Sequence, residues 1–234
     1  MKEKNLHLEM SRSALMHFAM RIAAYTLFIF FFTISLPFLV QHCDISVFKE
    51  NGPIEWLQFF LLFCTTSIFL AGALKFPDFR EMFLFWACFS AFAAVREMDK
   101  LLDELIPWIG WKIGFIFAVY IVILIITDKH KIKDQIAQFL LSHALDIVWA
   151  GFLIAVPVAQ LLGHGLFLES ILGDDYNRSY KRVIEESGET IGYFLLLVGS
   201  AEFIFLMKEA RFTHQKQPDP MIITRQLDHS KGSV

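Results

Sequence analysis

Three stretches of the chain run for the thickness of a bilayer without one Asp, Glu, Lys or Arg. Ile22 to Val40 and Trp56 to Leu74 are each uncharged for 19 residues, and Ile147 to Leu168 for 22. At 1.5 Å of rise per residue, such runs cross roughly 30 Å of hydrocarbon as single helices. No water is available there to satisfy backbone N–H and C=O groups, so the helix is the form these runs must take. A large soluble core is the alternative, and composition excludes it. With 56% of residues hydrophobic and only 19% charged, the chain departs from globular usage, and the excess is gathered in blocks.

Three further runs are shorter. Met82 to Val95 has 14 uncharged residues, Ile113 to Thr127 has 15 and Thr190 to Ala201 has 12. Each continues through a charge into more apolar sequence: past Arg96 and Glu97 to Leu102, back from Lys112 to Ile106, and past Glu202 to Met207. Long basic side chains can snorkel from such positions, and Trp108 and Trp111 suit the interface. The expected fold is therefore all-α, a polytopic transmembrane bundle of about six helices over 22–40, 54–76, 79–102, 106–127, 143–164 and 187–207. Residues 1–20 read as a cytoplasmic or interfacial segment, uncleaved for want of a small-residue cleavage site. Residues 209–234 read as a polar cytoplasmic tail around a membrane domain of 21–208. No internal repeat is evident.

Orientation follows from Lys and Arg. Six spans place fourteen of them on the side of both termini and seven on the other, which puts both termini in the cytoplasm. Lys129, Lys131 and Lys133, in the short segment 128–134, weigh most. The expected location is a bacterial cytoplasmic (inner) membrane. The partner is the lipid bilayer, with a homo-oligomer or a membrane-complex partner open. A net charge of −3 and the absence of a basic stripe exclude nucleic acid.

That topology gathers ionisable residues by depth. Glu55, Glu97, His164, Glu186 and Glu189 fall in the outer half. Gln58 follows Glu55 at helical spacing, Ser90, Ala93 and Ala94 share a face with Glu97, and Tyr193 shares one with Glu186 and Glu189. Gly188 and Gly192 form a small-xxx-small pair suited to close helix packing. A carboxylate in hydrocarbon is costly unless paired, protonated or metal-bound. Glu55, Gln58, Glu97, His164, Glu186, Glu189 and Tyr193 are thus the candidates for binding an ion or polar ligand. For Glu55 a helix-end charge reaching water is the simpler reading. A second group, His143, Asp146 and Glu202, lies towards the cytoplasm, and His143 with Asp146 reads more simply as a helix-start hydrogen bond.

Specific chemistries find little support. No HExxH or HxxxH occurs, and Cys43, Cys64 and Cys88 stand at unrelated spacings. Glu97, His164, Glu186 and Glu189 would suit a divalent cation, but no motif specifies one, and no other cofactor is indicated. The string from Glu185 to Thr190 has Thr190 where the EExxxR box of CAAX-type intramembrane proteases has arginine, which excludes that family. His17, His42, His143 and His164 lie at span ends, where haem would be poorly shielded. Binding of a proton, a cation or a small polar ligand, in transport or sensing, is the leading expectation. The alternatives are a membrane-embedded metal-dependent hydrolase or transferase acting on a lipid, and a structural subunit of a membrane complex. The topology is tested by labelling Cys43 in intact cells with a membrane-impermeant maleimide. Cys43 is expected to react from outside, and protection of Cys43 with labelling of a cysteine added to the tail would invert the map.

Overall fold

The computed structural model describes residues 2–43, 45–49, 51–140 and 142–216. Within them the chain is helical, with no strand. The elements are α1 (Lys2–Cys43), α2 (Pro53–Lys75), α3 (Arg80–Glu97), α4 (Asp99–Leu105), α5 (Phe115–Thr127), α6 (Lys129–Leu140), α7 (His143–Leu153), α8 (Ala159–Leu162), α9 (Gly165–Leu172) and α10 (Arg178–Lys216). Short 3-10 turns join several of them, and a π-turn over Ile154–Val158 joins α7 to α8. Among the described residues five segments are long and apolar enough to cross a membrane: Ala19–Cys43, Ile45–Lys75, Gly110–Thr127, His143–Leu162 and Arg178–Lys208. The expected third span, α3, has charges at both ends and is not among those five.

The ends of the helices differ from the expected spans for local reasons. α1 is unbroken, so residues 2–20 of the expected N-terminal segment continue into the first apolar run rather than lying apart from it. α3 stops at Glu97 instead of reaching 102, because Met98 leaves helical geometry at φ −104°, ψ 24°. Beyond it Asp99 accepts the backbone N–H of Lys100, a local bond with which Asp competes against helix continuation. The chain re-enters helix as α4. The basic segment at 128–134 opens an amphipathic helix, α6, rather than forming a loop. Its Ile132, Gln135 and Phe139 are buried at i, i+3, i+7. Gln135 explains the docking of α6: its Oε1 accepts the Met82 N–H at 3.0 Å and its Nε2 donates to Glu81 Oε2 at 2.7 Å. It thereby satisfies one of the donors that every helix N-terminus leaves free. Residues 217–234 of the expected tail lie outside the described residues.

α10 is the central helix, flanked by α2 and α7. The α7–α10 approach is set by small residues. A Cβ on Gly192 would come within 2.6 Å of both the Gly151 carbonyl oxygen and the Ala155 Cβ, and one on Gly199 within 2.5 Å of Val148. Gly188 likewise meets Ala159. In lipid there is no hydrophobic drive between helices, so such van der Waals contact between backbones is what holds them. On the other flank Thr66 and Ser90 join α2 to α3 by a 2.9 Å hydroxyl hydrogen bond.

The two ends of the bundle differ. At the end holding the start of α3, aromatic rings fill the interior: Phe203 lies 4.9 Å from Phe83 and 4.4 Å from Phe139, ring centre to ring centre. Here Glu202 accepts Tyr25 Oη at 2.6 Å and pairs with Arg21 at 3.1 Å, which ties α1 to α10. The same link is made higher up by Phe28 and Phe194, stacked at 3.8 Å. The opposite end is open. Gly192→Leu is expected to force α7 from α10 and to cost at least the roughly 1–3 kcal/mol typical of overpacking. Leu74→Ala, at a fully exposed position, should leave the unfolding midpoint in detergent nearly unchanged. Equal midpoints for the two variants would refute the seam.

Candidate functional site

The open end holds a cavity of about 520 Å³. Its walls come from the start of α2, the end of α3, α4, α8 and the first turns of α10. Glu55, Glu97, Glu186 and Glu189 all line it, and Gln160 closes one side. Gln58 and Tyr193 stand behind the acidic wall rather than in it. His164 is elsewhere: it precedes α9, exposed, and takes no part in the cavity.

Each acidic side chain is placed by a definite local device. Pro53 begins α2, and Gly52 before it has no room for a Cβ, which would fall 2.4 Å from the Lys49 carbonyl oxygen. This tight entry brings Glu55 into the first turn, where its carboxylate accepts the Asn51 N–H. A carboxylate is favoured there by the free N–H groups and the dipole of the helix. One turn deeper, fully buried Gln58 donates from Nε2 to the Glu186 carboxylate at 2.9 Å, and it lies within 3.0 Å of the Glu186 carbonyl and 3.1 Å of Thr190 Oγ1. Its own Oε1 is buried without a hydrogen-bond partner among the described residues.

Tyr193, one turn along α10 from Glu189, donates from its hydroxyl to Glu97 Oε1 at 2.7 Å. Glu189 Oε1 accepts Gln160 Nε2 at 3.2 Å. Ala94 and Ser90, buried on the face of α3 that carries Glu97, let α3 pack closely. The three deepest carboxylates, Glu97, Glu186 and Glu189, therefore take these bonds from neutral donors. Phenol and amide groups orient a carboxylate without cancelling its charge. Glu185 is different, since Lys181 lies 3.6 Å away on the same helix and its side chain rests against Gly163.

α4 adds residues that the run of the sequence left aside. Once Met98 breaks the helix, Asp99, Asp103 and Glu104 turn over the mouth with Lys100, and Arg96 joins from α3. Asp103 also accepts the Trp111 N–H, with Gly110 at φ +51° packed so tightly that a Cβ would overlap the Asp103 carboxylate. Neither Asp99 nor Asp103 was among the candidates read from the sequence. The signal that could have placed them was the density of charge directly after an apolar run, which favours a helix end over continuation. In all, eight carboxylates and two cations, Arg96 and Lys100, line the cavity.

The inner group does not assemble. His143 Nδ1 and Asp146 Oδ2 lie 3.6 Å apart, both exposed on one face of α7. Glu202 is instead occupied by Arg21 and Tyr25. Among the described residues no group of three His, Cys, Asp or Glu side chains is arranged to hold a metal ion. The donor set considered for a divalent cation, Glu97, His164, Glu186 and Glu189, is divided because His164 is exposed and does not line the cavity.

Tyr193→Phe keeps the ring and removes the bond to Glu97. Bonds to charged groups contribute roughly 1.5–3 kcal/mol, so this variant should unfold at lower denaturant, with full helicity retained by circular dichroism. An unchanged midpoint would mean that the Tyr193–Glu97 bond does not support the bundle. Compared with known proteins, the chain matches no family model, no curated protein and no solved structure.

Proposed function

We propose that this chain is a six-span membrane protein, both termini cytoplasmic, whose outward-opening acidic cavity binds a cation. α3 supplies the sixth span: 18 residues long, it reaches about 27 Å at 1.5 Å per residue, and it packs against α2 and α5. The observation that carries the reading is the chemistry of Glu97, Glu186 and Glu189. Tyr193, Gln58 and Gln160 hold them in position by neutral donors, and the eight carboxylates of the cavity outnumber its two lining cations, Arg96 and Lys100. Acidic groups set among low-dielectric walls focus their field outwards and raise the local concentration of cations.

A cavity of about 520 Å³ is large for a bare metal ion and suits an organic ammonium ion. The aromatic filling at the cytoplasmic end, around Phe83, Phe139 and Phe203, leaves the site facing one side. That is the arrangement of a receptor site, or of one state of a transport cycle. The site would serve sensing or transport, and both require selective binding first.

Calorimetric titration of nanodisc-embedded protein with tetramethylammonium tests this. Saturable binding is expected, with Glu97→Gln and Glu189→Gln each weakening it about tenfold, a change of about 1.4 kcal/mol. Binding indifferent to both substitutions, or equal uptake of an anion such as acetate, would sink the proposal. Stoichiometric transition metal in the purified protein, lost on Glu97→Gln, would instead favour the metal-dependent enzyme.

A further inference from the structure

A second cavity, of about 410 Å³, adjoins the acidic one and shares Arg96, Glu97, Gln160 and Glu189 with it. Its remaining walls are of opposite character. Phe89, Phe92 and Ala93 of α3 form one side, Phe152 and Val156 the other, and Leu196 of α10 the back. Among the described residues no side chain of α5 lines it, although α5 packs against α3 through Phe92 and Phe115. The cavity is thus a slot between α3 and α7, backed by α10, with Val156 exposed at its margin; in the six-span reading its unlined side turns towards the bilayer. At the lower end the Phe89 and Phe152 rings approach to 5.8 Å and close it. Eight residues of helix separate Phe89 from Glu97, about 12 Å at 1.5 Å per residue.

A small hydrophilic cation would have no use for this slot. Aromatic and aliphatic walls offer water few partners, and an apolar void of this size favours an apolar occupant. We infer that the ligand is a single-chain cationic amphiphile entering from the membrane, its ammonium head among Glu97, Glu186 and Glu189 and its hydrocarbon chain in the Phe89–Phe152 slot. The inference rests on the cation-binding reading of the acidic cavity. Charge complementarity selects the head, and the apolar lining directly beneath it selects the tail. Tyr193 and Gln160 stand at the seam, where their bonds to Glu97 and Glu189 fix the boundary between the two halves. A shape that joins an acidic chamber to a lipid-facing slot distinguishes amphiphiles from soluble polyamines and from metal ions.

The experiment is a chain-length series on nanodisc-embedded protein, with the heat of empty nanodiscs subtracted: tetramethylammonium, then butyl-, hexyl- and octyltrimethylammonium. Each methylene transferred from water to an apolar slot should tighten binding about fourfold, until the chain reaches the Phe89–Phe152 pair. Two variants narrow the slot, Val156→Trp and Ala93→Leu. In either, the gain per methylene should fall towards zero while tetramethylammonium binds as in the wild type, which also reports that the variant is folded. Equal affinity for tetramethylammonium and octyltrimethylammonium in the wild type overturns the amphiphile and leaves cation binding standing. A chain-length gain unaltered in a variant that still binds tetramethylammonium also overturns it, since the chain then lies elsewhere. If no member of the series binds, both readings fall.

Discussion

The close contact of α7 with α10 decides where empty space can exist in this bundle. Gly151 and Gly192 bring the two backbones together, with Gly188 against Ala159 and Gly199 against Val148. α2 joins α10 on its other flank, and α3 is bound to α2 by Thr66 and Ser90. α3 and α7 are then each held to a neighbour more closely than to one another, among the described residues. The slot between them follows from that geometry: helices drawn tightly together at small residues leave larger gaps where rings and long side chains intervene. Phe89 and Phe152 bridge the gap at one level only. Above them, among the described residues, lies the void of about 410 Å³, and at its margin the carboxylates gather.

Those carboxylates are retained in a setting that ought to reject them. A buried ionised group loses its hydration and must recover it from neighbours. At the end holding the start of α3, Glu202 does so in the ordinary way, with Arg21 at 3.1 Å and the Tyr25 hydroxyl at 2.6 Å. Glu202 joins two helices, and its charge is spent in doing so. Glu97, Glu186 and Glu189 receive phenol and amide donors instead. The contrast within one molecule separates a carboxylate paired with a cation from ones hydrogen-bonded by neutral donors. Gln58 serves the second kind, since an amide fully buried between α2 and α10, with Oε1 unpartnered among the described residues, fixes the Glu186 side chain by a neutral hydrogen bond.

Much of this was legible in the sequence where one physical rule acts alone. Uncharged runs of 19 and 22 residues specify membrane-length helices through backbone desolvation. The spacing of Gly188 and Gly192 specifies a close crossing, though not its partner, Gly151. The positions of Glu55, Glu97, Glu186 and Glu189 share a depth as soon as the helices alternate in direction, and the cavity that contains all four needs only that. His164 was misplaced relative to them by a tertiary detail: α8 ends at Leu162 and the chain turns at Gly163, so the next residue leaves the face it would have kept in a continuous helix. The break at Met98 has the same character. A local contest between Asp99 and the helix moved Asp99 and Asp103 to the mouth, and hydropathy is blind to such contests. The Lys-rich start of α6 hides an amphipathic helix whose buried face, among the described residues, is Ile132, Gln135 and Phe139.

The π-turn at Pro157 connects these observations. Proline has no N–H to return to the preceding turn, and the chain accommodates it by widening: the Ala159 N–H bonds to the Ile154 carbonyl five residues back. Such bulges shift the register of everything downstream and are frequent at functional sites. Here Ala155 stays against Gly192, preserving the tight seam, and Ala159 continues it against Gly188. Val156 lines the apolar slot and Gln160 reaches Glu189 from the other side of the bulge. An ordinary α-helix would be asked to present small residues to α10 at 151, 155 and 159 while also carrying an apolar wall and an amide to two adjoining chambers. The widened turn separates those duties by one residue. Pro157 thus lies in the turn between Val156, which lines the apolar slot, and Gln160, which lines both chambers.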